Sequence, residues 1–173
     1  PDGLVSSEVI FDCVESGDFT PLYKELKETC EEAVKLFTAE NGGEVSGADI
    51  GVLFERAKYR YLLSACKRSA FLKKLVIKKA DMTDILSAFR SATVEAALKN
   101  SLSVGKIRRD QIEALFAEDG LKAIELFEKT PYGDFVKECV RARSEGRPLT
   151  DAEKNIDNLE TDVLAERRYE LKA

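Results

Sequence analysis

Between Thr20 and Phe37 the apolar residues Leu22, Leu26, Cys30, Ala33, Val34 and Phe37 return every three or four positions, and the same spacing recurs along most of the chain. A period near 3.6 puts such residues on one face of a helix, whereas a half-buried strand needs strict alternation. Strand-like alternation is scarce. The 173 residues include only 10 Gly and 4 Pro, and the stretches between them are filled by Ala, Leu, Glu and Lys, which are good helix formers. The pattern predicts an all-α fold built from repeat-like modules of amphipathic helices. With 44% hydrophobic residues, the chain can bury a substantial core.

Capping residues divide the pattern into elements. Ser6 is placed to cap a helix to about Ser16, and Thr20-Pro21 opens the next, which Asn41-Gly42-Gly43 closes. Ser46 and Asp49 precede a long helix to about Lys67, with Ile50, Leu53, Phe54, Ala57 and Tyr61 on one face. After a break near Ser69, Phe71, Leu72, Leu75 and Val76 predict a short helix ending at Lys78-Lys79. Asp81 is placed to cap another that runs to about Leu98 through Ile85, Leu86, Phe89 and Ala96. Residues 100–105 read as a linker, after which Ile107, Ile112, Leu115 and Phe116 begin a helix whose apolar pattern Leu121, Ile124, Leu126 and Phe127 continue as far as Thr130. Thr130-Pro131 predicts the start of a helix carrying Phe135, Val136, Cys139 and Val140, which Gly146-Arg147-Pro148 ends. Thr150 and Glu153 have capping-box spacing for a last helix with Ile156, Leu159 and Val163 inward.

Two modules are expected, 1–99 and 100–173, the second incomplete at its C-terminal end. They read as diverged repeats, because Gly3-Leu4-Val5-Ser6-Ser7-Glu8 aligns with Gly105-Lys106-Ile107-Arg108-Arg109-Asp110, and Asp49 parallels Asp157. The start at Pro1 and a closing segment that still reads as helix suggest further sequence on both sides.

Several function classes find no support. The chain has no histidine, which removes the usual general base and the usual metal ligand. No Gly-rich loop of either phosphate-binding pattern is present. Cys13, Cys30, Cys66 and Cys139 are far apart, form no C-x-x-C pair and fall among apolar positions, as small buried hydrophobes do. Carboxylate pairs such as Glu31-Glu32 and Glu118-Asp119 read as solvated helix faces. No catalytic residue, cofactor or metal is expected. A net charge of −5 argues against nucleic-acid binding, and no apolar run is long enough to span a bilayer.

Charge is unevenly spread. Residues 1–49 carry net −9, residues 50–109 net +10, and the remainder −6. In the basic section Arg56 and Arg60, and likewise Lys74 and Lys78, stand four residues apart on one helical face. Such a section suits either an acidic partner or the chain's own acidic flanks.

The segment Ala80-Asp81-Met82-Thr83-Asp84-Ile85-Leu86-Ser87-Ala88-Phe89-Arg90 resembles the D-x-x-N-I-x-x-x-x-R pattern of the C-type central-stalk component of V/A-type rotary ATPases, whose counterpart in eukaryotic vacuolar ATPases is the d-type component. Asp81, Ile85 and Arg90 match, while Asp84 stands where the family often has Asn. Thr130-Pro131-Tyr132-Gly133 resembles the family's T-P-Y motif, Asp157 its later acidic position, and Pro1-Asp2-Gly3 its opening turn. The resemblance implies an all-helical protein of three similar modules around a funnel. It also implies a role as central-stalk adaptor on the cytoplasmic face of the membrane, with the axle subunits and the membrane rotor ring as partners and no bond chemistry of its own. The competing reading is a helical-repeat scaffold for protein–protein interaction, with a stacked solenoid in place of a pseudo-threefold arrangement.

Overall fold

The structure is a computed structural model that describes residues 8, 12, 15, 16, 31, 34–39, 49–116 and 120–170, with side chains up to residue 159 apart from Ile50, and at 161. The expected elements and caps at Ser6, Thr20-Pro21, Asn41-Gly42-Gly43 and Ser46, the alignment from Gly3, Cys13 and Cys30, and the pairs Glu31-Glu32 and Glu118-Asp119 lie wholly or partly outside the described residues. Those residues form helices and connecting turns, with no strand among them, so the protein is all-α. The chain divides into two compact units, Pro1–Tyr61 and Leu62–Ala173.

In the first unit, residues 34–39 are helical and α1 begins at Ile50, running to Ala65. Phe37, Leu53 and Ala57 form a small core with Val52 against it. Arg56, expected at the surface, is 1% exposed, with its guanidinium 4.9 Å from the centre of the Phe37 ring. A cation over a ring face keeps an electrostatic partner while its stem is buried.

The second unit holds α2 (Ala70–Arg90), α3 (Val94–Asn100), α4 (Arg109–Ala114), α5 (Leu121–Phe127), α6 (Gly133–Ser144) and α7 (Thr150–Glu170). Ser69 caps α2, its hydroxyl accepting from the Leu72 amide at 3.2 Å. Sequence spacing divides this stretch at Asp81, yet α2 runs through it without a break. Neither Gly nor Pro lies between Ala70 and Arg90, and Asp81 is turned into the core instead of capping a new first turn. The expected continuation to Leu98 fails at Ser91, whose N–H closes α2 on Ser87 and Ala88. Thr93 then caps α3 by accepting from Ala96 N at 3.1 Å.

α2 is central, packing against α3, α4, α6 and α7. One apolar cluster joins them, including Ile85, Phe89, Ile112, Leu115, Phe127, Val136, Cys139, Ile156 and Leu159. Phe135, Val136, Cys139 and Ala142 of α6 are buried at helical spacing, as are Ala152, Ile156 and Leu159 of α7. Fully burying a side chain such as Ile85 or Val136 contributes about 1.5–3 kcal/mol. The Cys139 thiol is pushed up to about 12, chiefly by burial and then by the charge of Glu138, which leaves it unreactive at neutral pH. α6 ends where Gly146 takes a φ of 64° and Arg147 N reaches back to Ala142 O at 2.8 Å.

Candidate functional site

Asp81 and Asp84 stand three residues apart on α2, on the same face as Ile85 and Ala88, and that face is core. The two carboxyl groups are 0% and 3% exposed. Buried carboxylates require donors, since leaving them unmet costs several kcal/mol. Asp81 Oδ1 accepts from the backbone amides of Lys106 at 2.6 Å and Ile107 at 3.1 Å, and Oδ2 accepts from the Tyr132 hydroxyl. Asp84 Oδ1 accepts from Leu102 N at 2.6 Å and Oδ2 from the Ser101 hydroxyl at 3.0 Å. These five donors are neutral, and four of them lie between Ser101 and Ile107. Two carboxylates thus staple the α3–α4 connection onto α2, and one of them reaches the start of α6 as well.

The connection is shaped for this contact. A methyl group at Gly105 would overlap Asp81 Oδ1 and lie 2.8 Å from its Cγ, so only glycine lets the backbone come close enough. Ser103 has a φ of 52°, a region that L-residues seldom occupy, with its N–H 3.2 Å from the Ser101 hydroxyl. On the other side, Thr130 shapes the turn before α6. Its hydroxyl donates to Phe127 O at 2.7 Å and accepts from Tyr132 N at 3.2 Å. The expected helix start at Thr130-Pro131 is therefore a turn, and α6 begins at Gly133 after it. Burial, and then Asp81, raise the Tyr132 phenol above its ordinary value, so it remains a proton donor.

Other side chains tie the ends of these helices. Arg90, at the end of α2, pairs with Glu153 in the first turn of α7. Arg143 lies 4.4 Å from the Phe89 ring centre and 6.0 Å from that of Phe116, and donates to Leu115 O at 3.1 Å. Partial burial lowers its pKa from the ordinary guanidinium value.

The structure brings together Asp81, Ile85, Thr130 and Tyr132, with Arg90 at the far end of α2. Pro131 is exposed, and Asp157 is exposed on α7 while Asp49 is buried, so those two acids occupy unlike surroundings. Lys74 is exposed and Lys78 half-buried in the second unit, whereas Arg56 and Arg60 belong to the first. Sequence reasoning missed Gly105, Ser101 and Arg143 as parts of this assembly. Asp84 carried the usable signal, because its spacing from Asp81, Ile85 and Ala88 puts two carboxylates on an apolar stripe. Among the described residues, no group of three or more His, Cys, Asp or Glu is placed to hold a metal.

The fold and the staple define an all-α protein in which two buried acids of α2 accept from backbone amides, a serine hydroxyl and a phenol. The chain belongs to the family described as ATP synthase (C/AC39) subunit, whose pattern matches residues 1–171. It is accordingly one of the subunits of the V/A-type rotary ATP synthases. Comparison with curated proteins finds no match, and comparison with solved structures finds none either. No helix among the described residues is long and apolar enough to cross a membrane.

Proposed function

We propose that this chain is the central-stalk adaptor of a V/A-type rotary ATPase, holding the rotating axle to the membrane rotor ring at the cytoplasmic face. In that role it passes torque and performs no bond chemistry. It needs no cofactor or metal, and it meets the membrane only through the ring. The two-module organisation divided near Asn100, within a funnel, belongs to the same proposal.

The observation that carries it is the double staple on α2. A part that transmits torque must resist twisting at its connections, and most loops are the softest part of a helical protein. Here Asp81 and Asp84 hold the α3–α4 connection by its own amides, and Tyr132 extends the tie to α6. Buried, fully partnered polar groups of this kind fix one arrangement.

The test is a pull-down of the full-length protein with the axle subunits and with detergent-solubilised ring. Retention of both is expected, and retention of neither sinks the proposal. The scaffold alternative separates in a low-resolution envelope of the full-length protein, where it requires a stacked solenoid with a concave face and the adaptor requires modules about a pseudo-threefold axis.

A further inference from the structure

From Leu62 to Ala80 the chain carries Lys67, Arg68, Lys73, Lys74, Lys78 and Lys79, and no acid stands between Glu55 and Asp81. Lys67, Arg68, Lys73 and Lys74 are exposed and Lys78 is half-buried. Among the described residues, no hydrogen bond or ion pair holds any of these five side chains. Elsewhere in the same unit five arginines are matched: Arg90 with Glu153, Arg108 with Asp110, Arg109 with Glu113, Arg141 with Glu138 and Arg147 with Glu145. Among the described residues, Lys106, Lys122 and Lys129 also stand without such a partner, but singly, whereas this segment gathers five. Lys74 and Lys78 also repel across one helical turn, and the first turn of α2 contains no acid to offset them. Among the described residues this charge array has no counter-charge in direct contact, which leaves it open to an acidic partner.

We infer that Lys67, Arg68, Lys73, Lys74 and Lys78 form a docking surface for the acidic face of a helix in a partner protein. One-turn spacing of Lys74 and Lys78 matches glutamates four residues apart on such a helix, about 5–6 Å between neighbours. An anionic membrane fits less well, because interfacial helices insert a continuous apolar face. Here Leu75 packs against the core, Phe71, Val76 and Ile77 are half-buried, and only Leu72 is well exposed, at 42%. The surface is a property of this chain and does not depend on the adaptor role. A protein that binds the acidic helix but neither axle nor ring would lose that role and keep this surface.

The experiment uses the 173-residue chain and two labelled helical peptides of one composition, with glutamates aligned four residues apart in one and dispersed around the helix in the other. Fluorescence anisotropy should show binding of the aligned peptide that weakens as salt rises. Combined Lys73→Glu, Lys74→Glu and Lys78→Glu should weaken it about 100-fold, and the three changes to Ala about tenfold, as expected for close charge pairs. The Ala set keeps the test sound if charge reversal disturbs folding, which circular dichroism reads. Combined Lys122→Glu and Lys129→Glu, which alters exposed cations elsewhere, should change binding no more than about twofold. Equal binding of the dispersed peptide, an equal loss in the Lys122 and Lys129 control, or stronger binding to phosphatidylserine vesicles than to the aligned peptide would each overturn the inference.

Discussion

The two halves of α2 share one unbroken helix and are built to opposite rules. From Ala80 to Phe89 eight residues are buried, including two acids that each collect partners from distant parts of the chain. From Ala70 to Lys79 none is fully buried, and every charge is positive. Hydrogen-bonded burial makes the first half a structural hub. In the Ala70–Lys79 half, where no residue is fully buried, Lys73, Lys74 and Lys78 have no ion-pair partner among the described residues. A helix with such a division separates holding the unit together from meeting something else, and each half can be altered with a distinct readout.

The largest effect should come from Asp81→Ala. It strands the Lys106 and Ile107 amides and the Tyr132 hydroxyl in a site with little access to water, a loss of about 3–5 kcal/mol. Urea denaturation measures this, and a loss below about 1 kcal/mol would show that the staple contributes little. Asp84→Ala removes the acceptor of the Leu102 amide and of a Ser101 hydroxyl that can turn elsewhere, and for these two contacts should cost somewhat less, about 2–3 kcal/mol. Asp84→Asn is the sharper variant. Its oxygen can keep the Leu102 amide while its NH2 donates to the Ser101 hydroxyl, which accepts as readily as it donates. For these two contacts the cost should stay within about 1 kcal/mol, consistent with Asn at this position in the resembled motif.

Tyr132→Phe removes one donor from Asp81 and should cost about 1–2 kcal/mol at neutral pH. Its pH dependence is more telling. Because the folded chain raises the phenol above its ordinary 10.0, first by burial and then through Asp81, the protonated form is the one the fold favours. That contribution is complete below the unfolded value and is lost as pH rises through the folded one. Wild-type stability should therefore fall with rising pH above about 10, and the fall should be shallower in Tyr132→Phe. Parallel alkaline limbs in the two proteins would detach Tyr132 from the staple.

Much of this division is legible in sequence, but not its meaning. Apolar period and caps locate α2 at Ser69 and α7 at Thr150, and the family pattern picks out Asp81, Ile85, Thr130 and Tyr132. Local reasoning takes Asp81 for a helix cap because an acid before an apolar run usually is one. Its partners lie 25, 26 and 51 residues away, outside any window in which periodicity operates. The break at Ser91 is missed for a related reason: Ala96 and Leu98 keep the period across it, while Thr93 supplies a cap that the apolar count ignores. Arg56 looks like a surface cation by type, and the Phe37 ring beneath it, which no local pattern reveals, is among the contacts that accompany its burial.

The smallest effect should run in the opposite direction. Lys74 is exposed, and Lys74→Glu removes no hydrogen bond or ion pair to a described residue. A carboxylate there would sit one turn ahead of Lys78 with the acid N-terminal to the base, which is the favourable order for such a pair. Replacing repulsion by attraction should stabilise the isolated chain by about 0.5–1 kcal/mol. The same change removes one cation from the proposed docking surface and should weaken the aligned acidic peptide several-fold, about what one exposed charge pair is worth. Gain in stability with loss of binding, read on one variant, would show that the basic half is kept at the expense of the fold. A destabilising Lys74→Glu would instead tie Lys74 to the unit's own structure and erase the contrast between the halves.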